Sequence, residues 1–335
     1  MIKLAVIGFG YWGPNLVRNF LQSEHCVVKT VVDLRQERLA LAQKLYPYLT
    51  TTPSIETVLR DADIEAVVLA VPVSLHYPLA RAALLHEKHV LIEKPMADTK
   101  GHALELIELA QQQQKTLMVD HTFLYTGAVK KIKTLVSQGD LGEIQYFDSV
   151  RINLGLFQHD TNVIWDLVAH DAAILDYLMP EPVYSVQATG ISHTANQIEN
   201  IAYVTMRYHA AKIAHCAVSW TSPVKIRRIL IGGTKKMLLY DDLEPTEKVK
   251  VYDTGYVVNS DEERNKIMVD YRIGDVHIPK VDPTEALKGM AADFIDAIRQ
   301  GTEPVSNYRT GLSVVSILEA ADQSLKNRGK EVIIA

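Results

Sequence analysis

A six-residue glycine pattern constrains the fold more than any other feature of this 335-residue chain. Gly8-Phe9-Gly10-Tyr11-Trp12-Gly13 follows the apolar run Ile2–Ile7 directly and opens a segment of helical period, Asn15–Leu21. The next apolar run, Val27–Val32, leads into Asp33, placing an acidic residue about twenty positions past the last glycine, the spacing of a dinucleotide fingerprint. In such a pattern the first glycine makes a tight turn, the second lets the main chain approach a pyrophosphate, and the third lets the helix pack against the strand. The helix N-terminus adds free N–H groups and a partial positive charge. The glycines alone are a weak signal. With a strand before them, a helix after them and an acid at the next strand end, they predict a dinucleotide-binding βαβ unit.

The first 120 or so residues keep to one grammar. β-Branched runs at Ile2–Ile7, Val27–Val32, Ala66–Val71, His89–Ile92 and Thr116–Val119 alternate with helical patterns at Asn15–Leu21, Gln36–Lys44, Leu75–His86 and Lys100–Gln112. Runs apolar on both faces and separated by helices predict a doubly wound α/β domain with a parallel sheet. Past residue 125 the grammar changes. Helices predicted at Ala128–Ser137 and Val163–Leu178 bracket a strand near Ile144–Asn153, and strand-like runs then follow one another from Val183 to Tyr252. That series predicts an α+β domain with a large, mostly antiparallel open sheet, closed by helices near Glu285–Gln300 and Tyr308–Asn327. The expected division is a Rossmann domain over 1–122 and a substrate-binding and oligomerisation domain over 123–335, with the C-terminal helix able to pack back on the first.

Composition narrows the function classes. Thirty-five basic against 40 acidic residues give a net charge of −5, with no Lys/Arg cluster. Nucleic acids and anionic membranes are therefore poor partners. Cys26 and Cys216 are the two cysteines, far apart and without CxxC spacing. They argue against a disulfide framework and a zinc site and fit a reducing compartment. His193, His209 and His215 lack ligand spacing, so no metal is expected. No apolar run reaches the length of a membrane span, the N-terminal run is too short for a signal peptide, and a cytoplasmic location is expected.

Asp33 is suited to accept hydrogen bonds from the adenosine ribose and to repel a 2′-phosphate, which favours NAD. Arg35, two residues on, keeps NADP possible, and Leu34 lies between them among the expected cofactor contacts.

A more specific signal follows at Glu93-Lys94-Pro95, with Ala70-Val71-Pro72 and His76 upstream. Together with the glycine pattern, and with Glu285-Ala286-Leu287, Phe294-Ile295-Asp296-Ala297-Ile298 and Pro304 near the end, the chain resembles the oxidoreductases named for glucose–fructose oxidoreductase, inositol dehydrogenase and MocA (Gfo/Idh/MocA). The resemblance covers essentially the whole chain. It implies an NAD(P)-dependent dehydrogenase or reductase acting on a sugar or polyol. The family pattern places an Asp and a His four residues apart on a helix of the second domain, and Asp166-Leu167-Val168-Ala169-His170 matches it. The glycine run usual before that Asp is replaced by Asn162-Val163-Ile164-Trp165, which alters the adjacent pocket. Gly10-Tyr11-Trp12-Gly13-Pro14-Asn15 together with Trp165-Asp166-Leu167 is similar to members from sugar-nucleotide and surface-polysaccharide pathways.

Oxidising an alcohol by hydride transfer requires a nicotinamide, a base for the hydroxyl proton and a group that stabilises a developing alkoxide. Lys94, just past a strand end, suits the last role, and His170, four residues from Asp166 on one helix face, suits proton transfer. Which of them is the base stays open. The resemblance further implies cofactor contacts at Val71, Pro72, His76, Glu93, Lys94 and Pro95, and substrate contacts at Lys94, Trp165, Asp166 and His170. His121 ends the last strand of the first domain and is a candidate to line the cleft, meeting cofactor and substrate, and Arg151 and Asn153, at alternate positions on one strand face, are candidates to bind substrate hydroxyls or phosphate. Two other functions compete: a glycoside-cleaving enzyme that oxidises its sugar transiently with bound NAD, and a non-catalytic NAD-binding sugar sensor. Finally, Ile201–Met206 and Ile213–Val218 are apolar at nearly every position. A sheet apolar on both faces predicts a homodimer or homotetramer through the second domain, with Val204 or Val218 on the contact face.

Overall fold

The structure is a computed structural model and describes residues 1–155, 157–158, 160–179, 181–257 and 270–334. Packing divides the chain into two compact units, one of residues 1–126 and 284–316, the other of residues 127–283 and 317–335.

The first unit carries strands β1 (Ile2–Ile7), β2 (Cys26–Val32), β3 (Thr50–Thr52), β4 (Ala66–Leu69), β5 (His89–Glu93) and β6 (Leu117–Asp120). They form one sheet in the order β3-β2-β1-β4-β5-β6, with every pairing parallel. The order reverses beside β1, and in open sheets of this kind ligands bind outside the strands' carboxyl ends at that point. Helices α1 (Gly13–Leu21), α2 (Gln36–Leu45), α3 (Ile55–Leu59), α4 (His76–Leu85) and α5 (Lys100–Gln112) are the crossovers. The β4 side chains are buried throughout, as a strand covered on both faces requires.

Helix α8 (Ala286–Gln300) also belongs to this unit, where the sequence boundary at 122 sets it in the second. Its Phe294 ring meets Phe20 of α1 edge-on at 6.2 Å. Arg18 pairs with Glu285 at 2.5 Å, and the Tyr125 hydroxyl donates to Asp293 at 2.6 Å. A return over such a sequence distance leaves no local period to read.

The second unit holds a nine-stranded sheet. Its strands are β7 (Ile144–Leu154), β8 (Ser185–Ile191), β9 (Ile201–Arg207), β10 (Ile213–Ser219), β11 (Thr221–Gly233), β12 (Met237–Asp241), β13 (Val249–Val257), β14 (Asp270–His277) and β15 (Val332–Ile333). They run in the order β14-β13-β12-β11-β7-β10-β9-β8-β15, antiparallel except for β7 with β10. Helices α6 (Gly127–Ser137), α7 (Ala169–Leu178) and α9 (Tyr308–Lys326) complete the order of elements. The predicted helix over 163–178 forms with a π turn, Ile164–Val168, at its start.

Burial alternates along the sheet more strictly than the sequence does. Ala202, Val204 and Met206 on β9 and Ala214, Cys216 and Val218 on β10 all point into the covered face. Val204 and Val218 therefore share one buried face, which corrects the expectation that one of them marks a contact surface. The other face presents Tyr203, Ile213 and Leu230, which are 52%, 42% and 44% exposed.

Candidate functional site

The glycine loop is built by main-chain crowding. Gly8 has φ of +95°, and a Cβ there would lie 2.2 Å from the Ala70 carbonyl oxygen. A Cβ on Gly13 would lie 2.2 Å from the oxygen of Gly8, so the third glycine is what lets α1 start against β1. At Gly10 a Cβ would meet only Arg35 Nη2, at 3.6 Å, which leaves that side of the loop open to a ligand. The start of α1 has no side-chain cap and no acidic residue in its first turn. Its first N–H groups thus suit a diphosphate. Phe9 is buried and contributes its main chain, whereas Tyr11, Trp12 and Leu34 are exposed at the loop. This loop fits a dinucleotide.

Asp33 ends β2 at the loop. Its Oδ2 accepts from the Phe9 N–H at 2.8 Å and its Oδ1 from the Arg35 N–H at 2.9 Å. The Arg35 guanidinium also folds onto the carboxylate, with Nε 3.2 Å from Oδ1. Burial pushes the Asp33 carboxyl up, but these donors outweigh it and hold it below the usual carboxylate range. The group therefore meets the cofactor ionised. We expect NAD(H) to bind at least about tenfold more tightly than NADP(H), or about 1.4 kcal/mol, and Asp33→Ala to narrow the gap. Fluorescence titration with both cofactors measures it; equal affinities would make Arg35 a phosphate ligand.

Lys94 lies just past the carboxyl end of β5, partly exposed, with Glu93 before it and the buried Pro95 after it. His76 holds this turn. Its ring is buried, with Nδ1 2.7 Å from Pro95 O and Nε2 2.9 Å from Val71 O. A neutral ring has one N–H to donate, so His76 bonds one of these carbonyls and packs against the other. Buried between the end of β4 and the Glu-Lys-Pro turn, it straps the two together and offers no exposed edge to a cofactor, which corrects that expectation. Pro72, beside it, is exposed, and Val71 Cγ1 lies 3.1 Å from the Cβ position of Gly8.

Glu93 and Asp120 are register partners on the parallel strands β5 and β6. Two carboxyls side by side cannot both ionise cheaply in a buried setting. Burial, then Asp120, pushes Glu93 well above its usual value, and burial pushes Asp120 up to about 6. Asp120 Oδ1 also accepts from the Thr122 hydroxyl at 2.7 Å. Side by side, the two carboxyls titrate as a unit. His121, the next residue, is buried, and neither ring nitrogen has a partner among the described residues. Burial, assisted by Lys94, pushes its pKa down to about 3 and keeps the ring neutral.

The sign of the resulting pH effect is fixed. A carboxyl whose pKa is higher folded than unfolded contributes stability at low pH that is lost as pH rises through the folded value. For Asp120 that window runs from about 4 to about 6. Asp120→Asn should therefore unfold at a higher temperature than the native chain at pH 8, by the equivalent of about 1–3 kcal/mol, and match it near pH 4. Calorimetry at the two pH values tests this; equal shifts at both would contradict it.

In the second unit, every residue from Val163 to Leu175 is buried except Asp166 and His170. Further along the same helix, Asp176 and Tyr177 are also partly exposed, so Asp166 and His170 are the partly exposed residues of its first turns. Asn162 shapes the entry: its Oδ1 accepts from the N–H groups of Ile164 and Trp165 at 3.1 and 3.2 Å, and its Nδ2 donates to Asp322 at 2.9 Å. The π turn that follows is wider than an α turn, and such turns recur at functional sites. Trp165 is buried, so it packs the core and does not face a substrate.

Arg151 is likewise corrected. It points into the covered face of the sheet and makes a buried ion pair with Asp171 of α7, Nη2 to Oδ1 at 2.7 Å. Its charge is consumed in fixing α7 to β7, one residue from His170. Asn153 shares the Arg151 face but is partly exposed, with its Nδ2 3.0 Å from the Cβ position of Gly155. Asp120, Asp171 and Trp220 are the residues that sequence reasoning missed. Asp120 could have been found from its place at the carboxyl end of a parallel strand. Asp171 and Trp220 become visible only through their partners.

Comparison with known proteins bears on the family and the fold. A family model described as oxidoreductase family, NAD-binding Rossmann fold, matches residues 2–121, and one described as a Gfo/Idh/MocA C-terminal domain matches residues 129–239. The chain is 24% identical to YrbE, an uncharacterized oxidoreductase of Bacillus subtilis, over 97% of this chain and 94% of that protein. It is 24% identical to a 2,7-anhydro-N-acetylneuraminate hydratase of Mediterraneibacter gnavus, over 79% and 74%. Its fold superposes with a TM-score of 0.81 on UDP-N-acetylglucosamine 3-dehydrogenase of Acidithiobacillus ferrooxidans, at 23% identity and covering 98% and 99% of the two chains. Among the described residues no helix is long and apolar enough to cross a membrane.

Proposed function

This chain belongs to the Gfo/Idh/MocA oxidoreductases, and from that premise we propose that it moves a hydride between NAD and a ring hydroxyl or keto carbon of a nucleotide-linked sugar. The observation that carries the reading is that the first unit holds an open glycine loop with an ionised Asp33 and has Lys94 at the carboxyl end of β5, while the second carries Asp166 and His170, partly exposed, in the first turns of one helix. The nucleotide-linked substrate is favoured by the likeness to a UDP-N-acetylglucosamine dehydrogenase.

NAD, when bound, would supply the hydride acceptor. Gly8, Gly10, Gly13 and the start of α1 would hold its diphosphate, and Asp33 its adenosine ribose. Glu93, whose carboxyl burial pushes upward, would meet the nicotinamide ribose. The Lys94 ammonium donates to the reacting oxygen and stabilises the negative charge that grows there. His170 takes the hydroxyl proton in oxidation and returns it in reduction. Asp166 accepts from a substrate hydroxyl and orients it. Atoms balance: one hydride and one proton leave the alcohol, and a carbonyl remains.

The test is stoichiometry. With UDP-N-acetylglucosamine, free N-acetylglucosamine and an aryl N-acetylhexosaminide as probes, we expect NADH to appear in a one-to-one ratio with keto product from the nucleotide sugar. The hydratase relative favours a second reading, in which NAD is reduced and reoxidised within one turnover. Product without net NADH supports that reading. Cofactor binding with no turnover on any probe supports a sensor.

We further propose that a second copy of this chain covers the open face of the nine-stranded sheet about a two-fold axis. Tyr203, Ile213 and Leu230 make that face more apolar than solvent favours. Sedimentation equilibrium at micromolar protein should give a dimer or tetramer, and Tyr203→Arg should weaken it. A 37.5 kDa species for the unaltered chain would contradict the proposal.

A further inference from the structure

Trp220 is the residue between β10 and β11, and nothing in its local sequence marks it as more than core. Its indole Nε1–H donates to Asp166 Oδ2 at 3.0 Å. The bond joins residues far apart in sequence, on two different layers of the second unit. The indole is 1% exposed, so it has no surface with which to meet a substrate. It is also held from behind. The Trp220 N–H donates to Asn200 O at 2.9 Å, and its carbonyl accepts from the Gly155 N–H at 2.9 Å. Gly155 lies flat against the ring, where a Cβ would come 3.0 Å from Cδ1. The Phe157 ring closes on it with centroids 5.8 Å apart.

Asp166 itself needs an external hold. It sits in the π turn, whose backbone is less regular than the helix after it, and its side chain is one of the two accessible ones there. Asn162 fixes the main chain of that turn. A donor from a rigid neighbour settles the carboxylate's rotamer and points its other oxygen, and a charge-assisted bond in a buried setting is the strong kind.

We propose that Trp220 is a positioning residue: its indole N–H holds the Asp166 carboxylate in the orientation that turnover requires. The inference rests on the reading of Asp166 as a substrate contact. Trp220→Phe keeps an aromatic ring at the position, though a smaller one, and removes the donor. It should lower kcat by about tenfold to a hundredfold, the range for losing one hydrogen bond to a charged group, with NAD affinity unchanged because the cofactor loop lies in the other unit. In an Asp166→Ala background the same replacement should cost less than about twofold, since residues that act as one unit are not additive. Gly155→Ala, which crowds the indole without removing its N–H, should cost less than Trp220→Phe.

A second readout does not depend on activity. The chain has three tryptophans, Trp12, Trp165 and Trp220. In the full-length protein labelled with 15N-tryptophan, the indole resonance assigned to Trp220 by its loss in Trp220→Phe should lie downfield of a solvent-exposed position in the native protein and shift on Asp166→Asn. A Trp220 resonance that ignores Asp166→Asn overturns the proposal whatever the kinetics. A responsive resonance with native kcat in Trp220→Phe, measured with UDP-N-acetylglucosamine, or additive losses in the double variant, overturns the positioning role. Native kcat in Asp166→Ala overturns the reading of Asp166, and the positioning role falls with it. If the native enzyme turns over none of the probes above, the functional reading fails instead, and the indole resonance alone decides whether Trp220 holds Asp166.

Discussion

Replacing Lys94 with alanine is expected to lower kcat by about a hundredfold or more, the usual loss for one preorganised donor aimed at developing charge. Lys94 follows the last residue of β5, a strand buried through its middle, so its backbone is fixed by the sheet. The turn after it is tied by His76, whose ring lies 2.7 Å from Pro95 O. The ammonium is thus presented from a rigid base, and little of its effect is spent on ordering. The glycine loop and Asp33 are untouched by the change, so NAD affinity should move by less than about twofold, a split between binding and chemistry that a fold defect would not give. Lys94→Arg keeps the charge but not the point geometry and should recover only part of the loss. Steady-state rates with a parallel cofactor titration check this. Near-native kcat in Lys94→Ala would remove Lys94 from the chemistry.

His170→Ala carries the second large effect, a loss in kcat of about 10² to 10⁴, the range for removing a general acid–base group. His170 is partly exposed in the first turns of its helix, and its neighbour Asp171 is locked to Arg151 in a buried pair. The ring is therefore carried by a helix pinned to the sheet at the next residue. Losing the imidazole removes the proposed proton carrier, so the pH–rate profile of the variant should change as well. A variant with native kcat and an unaltered profile would show that Lys94 alone handles the proton.

The parts of this account legible in the sequence are those that depend on near neighbours. The glycine loop, Asp33 at the next strand end and the parallel, two-sided character of the first sheet follow from patterns a few residues long. Asp166 and His170 are legible as a spacing. What the sequence hides is set by distant partners. Alternation places Arg151 on one face of β7 but does not say that the face is covered, nor that Asp171 waits there to take its charge. Trp165 reads as a ligand for the same reason and is core. Val204 and Val218 look like two chances at an interface, yet the β9–β10 register sets both on one side. Short or exposed edges are missed too: β3 is three threonines, and β14 is an edge strand exposed from Arg272 to His277. The return of α8 to the first unit and the Trp220 bond to Asp166 depend on contacts that no local window contains.

The central claim is direct hydride transfer from a sugar carbon to NAD, and isotope transfer tests it most directly. UDP-N-acetylglucosamine deuterated at its ring carbons is incubated with the enzyme and NAD, and the nicotinamide is weighed by mass spectrometry. The account predicts NADH carrying one deuterium for each keto sugar formed. Keto sugar formed alongside NADH that carries no deuterium would contradict it.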